Sequence, residues 1–219
     1  MNVLIACEES QRVCIEFRKK GHNAFSCDIL PCSGGHPEWH IIHDVVPLLN
    51  GLRGFHTENG KFHEINGWDM IIAFPPCTYF SCAGACRMFH KDDAGVSHLN
   101  EERYQKMLGM RKLFYSIYNA PCDKIVIENP TYMKIAELPK HTQVIQPWQF
   151  GEPWTKRTCL WVKGVKPLEP TNIVDPVMGS WVNSGSTYRR YGKSNGKTKS
   201  IDRSKTFKGI AEAMAEQWG

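Results

Sequence analysis

The 219-residue sequence contains no apolar run of 18 residues, so no segment reads as a membrane-spanning helix. It has no Cys-x-x-Cys pair, and its nine cysteines are irregularly spaced and odd in number. That pattern argues against a tight zinc knuckle and against a disulfide framework. No internal repeat occurs, which excludes a solenoid or propeller. The opening MNVLIACEES lacks a basic stretch ahead of its apolar run and turns polar at Glu8. It reads as a first strand rather than a signal peptide, and a reducing, cytoplasmic setting is expected for the thiols. A strong charge of one sign is also missing. The net charge of +5 and pI of about 8.7 are compatible with a polyanionic partner without being diagnostic of one. The hydrophobic fraction of 42% suffices for one sizeable domain spanning residues 1–219.

What is present is an alternation of strands and helices. NVLIAC is a short apolar run with the length of a buried strand. Ser10 offers an N-cap to QRVCIEFRKKG, where Val13, Cys14 and Phe17 share one helical face and Gly21 is a stop. NAFSCD reads as a second strand, giving the start of a parallel βαβ unit. HIIHD, WDMIIAF and KIVIENP follow as strands, with a short helix at VVPLLNGL and a long one over 98–119. TQVIQPWQF and TCLWVKG can pair as later antiparallel strands, and 206–218 closes the chain as a helix.

In open parallel sheets ligands bind beyond the carboxyl ends of the strands. Those ends carry Glu8, Asp28, Asp44, Cys77 and Glu128. An acid ending the second strand is placed to grip ribose hydroxyls, and Asp28 fits; a turn cap is the plainer alternative. Asp44 equally suits an N-cap for VVPLL. Cys77 follows two prolines in WDMIIAFPPCTYFSCAG, which impose an extended entry and a rigid loop. A reactive thiol works as the thiolate, so a polar, partly open site that lowers its pKa is expected there. Glu128 tips an apolar strand, where a carboxyl can be held protonated and share its proton with a bound ring, or can serve as a cap or ion pair.

Residues 179–205 differ in kind, with Gly, Ser, Lys and Arg dominant and Asp202 the lone acid. They read either as a surface loop or as a basic segment that orders on a phosphate backbone through Arg189, Arg190 and Lys193.

Taken together, these pieces resemble a known family, the cytosine-C5 DNA methyltransferases. FPPCTYFS is similar to their Pro-Cys motif and IENP to their Glu-Asn-Val motif. HDVVPLL resembles their Gly-Asp-Ile segment, TKRTCLW the region of their Gln-x-Arg-x-Arg motif, and KTFKGIAEAMAEQWG their closing motif and helix. The likeness runs in order along the whole chain, and in size it is similar to small phage-type members, some of them tied to restriction-modification. The resemblance implies an α/β Rossmann-like fold, a mostly parallel sheet with helices on both faces, that binds S-adenosylmethionine. Asp28 would hold the ribose and Asp44 the adenine amino group. Ala6, Cys7, Glu8 and Ser10 of the first loop, Ile29 and Val45 beside the acids, and Pro75 would line the same site. Cys77 would attack C6 of a cytosine in DNA, Glu128 would protonate the ring at N3, and Arg157 would hold O2. In duplex DNA the base must leave the stack first.

The sequence also departs from that pattern. The first loop, ACEES, has no glycine, Thr78 stands where the family has Gln, Arg157 is the one clear arginine of its motif, and the closing Gly-Asn-Ser is absent. Residues 165–205 form a reduced basic loop region in place of a target-recognition domain, so a partner protein could supply recognition. Competing expectations are a degenerate member that binds nucleic acid or a protein without turnover, and an amino-methyltransferase, which would have no use for Cys77. Cys27, Cys32, His36 and His40, or Cys77, Cys82, Cys86 and His90, are only loosely spaced for zinc, and no metal is expected.

Overall fold

The computed structural model describes residues 1–176 and 205–219. Its centre is a seven-stranded sheet in the order β10-β11-β9-β6-β1-β2-β3. The parallel part comprises β1 (Asn2–Ala6), β2 (Asn23–Asp28), β3 (His40–Ile42), β6 (Met70–Ala73) and β9 (Ile125–Pro130). Beyond β9 the sheet turns antiparallel through β11 (Thr158–Lys163) to β10 (Gln143–Ile145). Strands covered on both faces need continuous apolar runs rather than alternation. Val3, Leu4, Ile5 and Ala6 of β1 are accordingly all fully buried.

Strand alternation divides the core in two. On one face Val3, Ile5, Met70, Ile72 and Leu160 meet α1 (Arg12–Lys19) and the last helix, α5 (Lys208–Trp218). On the other, Leu4, Phe25, Ile71, Ile127 and Trp161 meet α2 (Val45–Leu49) and α4 (Glu101–Tyr118). Helices therefore cover both faces of a mostly parallel sheet, as expected.

Three local details differ from the sequence reading. Ser10 is not the cap of α1: Gln11 holds the N-cap position in a left-handed conformation (φ 58°), and the side chain that takes the helix N–H groups is that of Glu8. The long helix begins at Glu101, capped by the Asn100 side chain on the Arg103 N–H at 3.0 Å, because Ser97–Leu99 is used as a strand. Two small hairpins were not foreseen, β4 (Gly54–His56) with β5 (Phe62–Glu64), and β7 (Phe89–Lys91) with β8 (Ser97–Leu99). The second follows a short helix, α3 (Ala85–Met88), that comes after the Cys77 loop. Both are built of three-residue strands, too short for a period to show.

Candidate functional site

From β1 the parallel strands run outward one way to β2 and β3, and the other way to β6 and β9. The crevice at this reversal is where such sheets hold ligands. It is walled by the loop after β1 and the loop after β6. The Phe74 N–H still donates to the Ala6 carbonyl at 2.9 Å, and then Pro75 and Pro76 end the ladder because they have no N–H to give. Cys77 comes next, and its carbonyl accepts the N–H groups of Phe80 (3.3 Å) and Ser81 (3.0 Å) in a tight turn. The loop is clamped from two sides. Asn129 donates to the Pro75 carbonyl at 2.9 Å, Cys82 N–H to Thr131 at 2.8 Å and Met133 N–H to Phe80 at 2.8 Å. From α4, Arg103 donates to the Thr78 carbonyl and lies 5.0 Å from the centre of the Tyr79 ring.

This clamp brings Cys77 beside Glu128, both half-buried. Burial pushes the Cys77 thiol up from its ordinary value, and the neighbouring Glu128 charge pushes it further; Lys156 and a backbone N–H act the other way. The expected lowering of this thiol is therefore corrected: a fixed loop at a sheet edge dehydrates the sulfur and sets it by a carboxylate. Burial likewise raises the Glu128 carboxyl, opposed by Lys156 and by a hydrogen bond with Thr158. A protonated Glu128 no longer opposes ionisation of Cys77, so the two groups favour one shared proton rather than two anions. Arg157 is not brought to this pair. It is exposed at the entry of β11, and its charge acts on Cys159 and His141.

Among the residues expected around a cofactor, Cys7, Asp28 and Asp44 do converge. Cys7 is held at φ 58°, and its thiol is pushed up to about 12 by burial and then by the charges of Asp28 and Asp44. Asp28 accepts the Leu30 N–H at 3.0 Å, and Asp44 caps α2 through the Val46 N–H at 2.9 Å, so the cap alternatives for both are realised while each carboxylate keeps accepting capacity. Beside them stand Ile29 (74% exposed), Leu30 and Ile42, an apolar rim open to solvent at the strand ends. Ala6, Val45, Ser10 and Pro75 are buried; Val45 packs in the core, and the Pro75 carbonyl is taken by Asn129. Arg189, Arg190 and Lys193 lie outside the described residues.

Glu8 has a different place. It is 4% exposed, and its two carboxylate oxygens accept the N–H groups of Val13 (2.8 Å) and Cys14 (3.3 Å) at the start of α1. Burial raises its carboxyl to about 7 against the pull of those two N–H groups. The helix terminus that could receive an anion is thus filled by the chain's own carboxylate. The glycine missing from this loop appears opposite it. A Cβ at Gly34 would lie 2.6 Å from the Ser10 carbonyl and from the Gln11 Cβ, so close packing on the first loop requires glycine there. Gln11 completes the contact, donating to the His36 carbonyl (2.8 Å) and accepting its N–H (3.0 Å). Among the described residues no three metal-ligating side chains converge. No helix among them is long and apolar enough to cross a membrane.

No family model matches the chain, and no curated protein does. A solved structure of a candidate DNA modification methyltransferase encoded within a prophage of E. coli is similar at a TM-score of 0.42 and 15% identity, over 81% of this chain and 52% of that one. The chain thus spans about half the length of that protein.

Proposed function

We propose that this protein transfers a methyl group from S-adenosylmethionine to C5 of cytosine in DNA, with Cys77 as nucleophile and Glu128 as acid. The observation that carries the proposal is the clamped Pro-Pro-Cys loop that sets a thiol beside a half-buried carboxyl at the sheet's reversal point. The cofactor site is tested by its chemistry. Two acids and an open apolar rim suit the hydroxyls and ring of an adenosine. Glu8 on the α1 terminus disfavours a diphosphate, which argues for an adenosyl cofactor without phosphates over a dinucleotide. Asp28 would hold the ribose, Asp44 the adenine amine, and Ile29 would cover the ring.

When bound, S-adenosylmethionine supplies an electrophilic methyl group. The chain's own residues do the rest. The Cys77 sulfur bonds to C6 of the cytosine while Glu128 gives its proton to N3, so the ring's electrons move to C5, which becomes nucleophilic. Burial favours that proton on Glu128, and once there it removes the negative charge that opposes the thiolate. After methylation the C5 proton leaves to solvent base, the S–C6 bond breaks, the thiolate returns, and N3 gives its proton back to Glu128. The test is a methyl-transfer assay with labelled S-adenosylmethionine and DNA, with the product nucleoside identified. Wild type should give 5-methylcytosine and Cys77→Ser none. A methylated exocyclic amine that survives Cys77→Ser would replace this reading with an amino-methyltransferase, and absence of cofactor binding would leave a degenerate binding protein.

A further inference from the structure

We infer that Lys156 supplies the positive charge of the Cys77–Glu128 site and that Arg157 does not; the inference rests on the function proposed above. β11 runs antiparallel to β9 with Leu160 opposite Glu128 and Thr158 opposite Pro130. Directly opposed residues share a face, and neighbours along a strand alternate. Thr158 and Leu160 therefore lie on the Glu128 face, and Cys159 and Trp161 on the other. The core bears this out: Leu160 packs with Val126, whereas Cys159 and Trp161 pack with Ile127. Lys156 and Arg157 lie just ahead of β11, outside its ladder, and Phe207, beside which Lys156 sits, packs with Val126 and Leu160 on the Glu128 face.

Burial and charge agree with this placement. Lys156 is half-buried with its ammonium 5.9 Å from the Phe207 ring centre, while Arg157 is exposed. The Lys156 charge favours the ionised form of both Cys77 and Glu128, whereas Arg157 acts on Cys159 and His141.

The chemistry needs such a cation. Cys77 must ionise in a dehydrated loop, where an anion is costly without a positive neighbour. Lys156 would favour the thiolate, and would favour the negative charge that builds on the ring as the S–C6 bond forms. Its part is to place charge rather than to act as acid or base, so it is a positioning residue. For Glu128 its influence has the opposite sense to burial, and burial is the larger effect.

The test is the pH profile of Cys77 alkylation by iodoacetamide in the full-length protein, read by mass spectrometry at the Cys77 peptide, with exposed Cys82 as internal reference. Lys156→Gln should move the Cys77 profile up by about one pH unit, a loss of about tenfold in rate at neutral pH, with Cys82 unmoved. Lys156→Arg should restore the profile, and Arg157→Gln should leave it in place. An unmoved profile in Lys156→Gln, or an equal shift in Arg157→Gln, overturns the assignment. Should Lys156→Gln unfold, shown by labelling of buried Cys14 and Cys159, Lys156→Arg decides: a kept profile supports the charge role and a lost one refutes it. This readout needs no DNA, so the charge assignment can fail while the methyltransferase reading stands, and the reverse.

Discussion

The Asn129 side-chain amide donates to the Pro75 carbonyl at 2.9 Å, which ties the exit of β9 to the exit of β6. Asn129 is 1% exposed, and its own carbonyl oxygen has no partner among the described residues. The double proline removes two ladder donors, and this amide instead holds the loop through the Pro75 carbonyl. One hydrogen bond thereby fixes both the loop that carries Cys77 and the strand that carries Glu128.

Asn129→Ala should cost roughly 1–3 kcal/mol of stability, the usual range when a buried carbonyl loses its partner. Its effect on turnover should exceed that on stability, because the thiol loses its fixed position. Urea unfolding beside methyl-transfer rates checks both. Equal rates in Asn129→Ala and wild type would show that the clamp has no part in catalysis.

Glu128→Gln should lower turnover by about 10²–10⁴-fold, the span typical for loss of a positioned acid. Cofactor affinity should hardly change, since Glu128 lies toward Cys77 and away from the Asp28–Asp44 end. Steady-state kinetics with isothermal titration of S-adenosylmethionine separates the two effects.

Asp28→Ala should weaken S-adenosylmethionine binding by about tenfold or more, worth about 1.4 kcal/mol. Asp44→Ala should weaken it too and should also cost about 1 kcal/mol of stability, because the α2 cap is lost. Calorimetric titration and thermal melting distinguish the two variants.

Glu8 makes stability depend on pH. Its carboxyl binds a proton more tightly when folded, at about 7 against an ordinary 4.5. The stability it contributes is full below about pH 4.5 and is lost as pH rises through about 7, on the order of 3 kcal/mol at full ionisation. Unfolding at about pH 5 and pH 8 should show this decline in wild type and a flatter response in Glu8→Gln. A wild-type protein that gains stability over the same interval, with Glu8→Gln unchanged, would contradict the burial of this group.

Much of this was legible in the sequence for identifiable physical reasons. The buried parallel strands announce themselves as apolar runs, and the polar residues that end them mark the sheet's carboxyl edge; Cys77 beside Glu128, and Cys7 with Asp28 and Asp44, follow from that topology. What the sequence hid depends on contacts between distant segments. Glu8 looked like a ligand for a cofactor, because nothing local reveals that its oxygens turn back onto Val13 and Cys14. The lowered thiol expected at Cys77 failed because dehydration depends on what packs over the loop. Lys156 and Arg157 are neighbours in sequence, and only the fold shows that Lys156 sits by Phe207 and acts on Glu128 while Arg157 is exposed.

The central claim is that Cys77 forms a covalent bond to cytosine, and trapping tests it most directly. DNA containing 5-fluorocytosine is mixed with the protein and S-adenosylmethionine, denatured, and examined by mass spectrometry. The fluorine at C5 cannot leave as a proton, so the S–C6 bond should persist, giving a denaturation-resistant adduct on the Cys77 peptide in wild type and none in Cys77→Ser. An adduct absent from duplex and single-stranded DNA alike, or one that persists in Cys77→Ser, would contradict it.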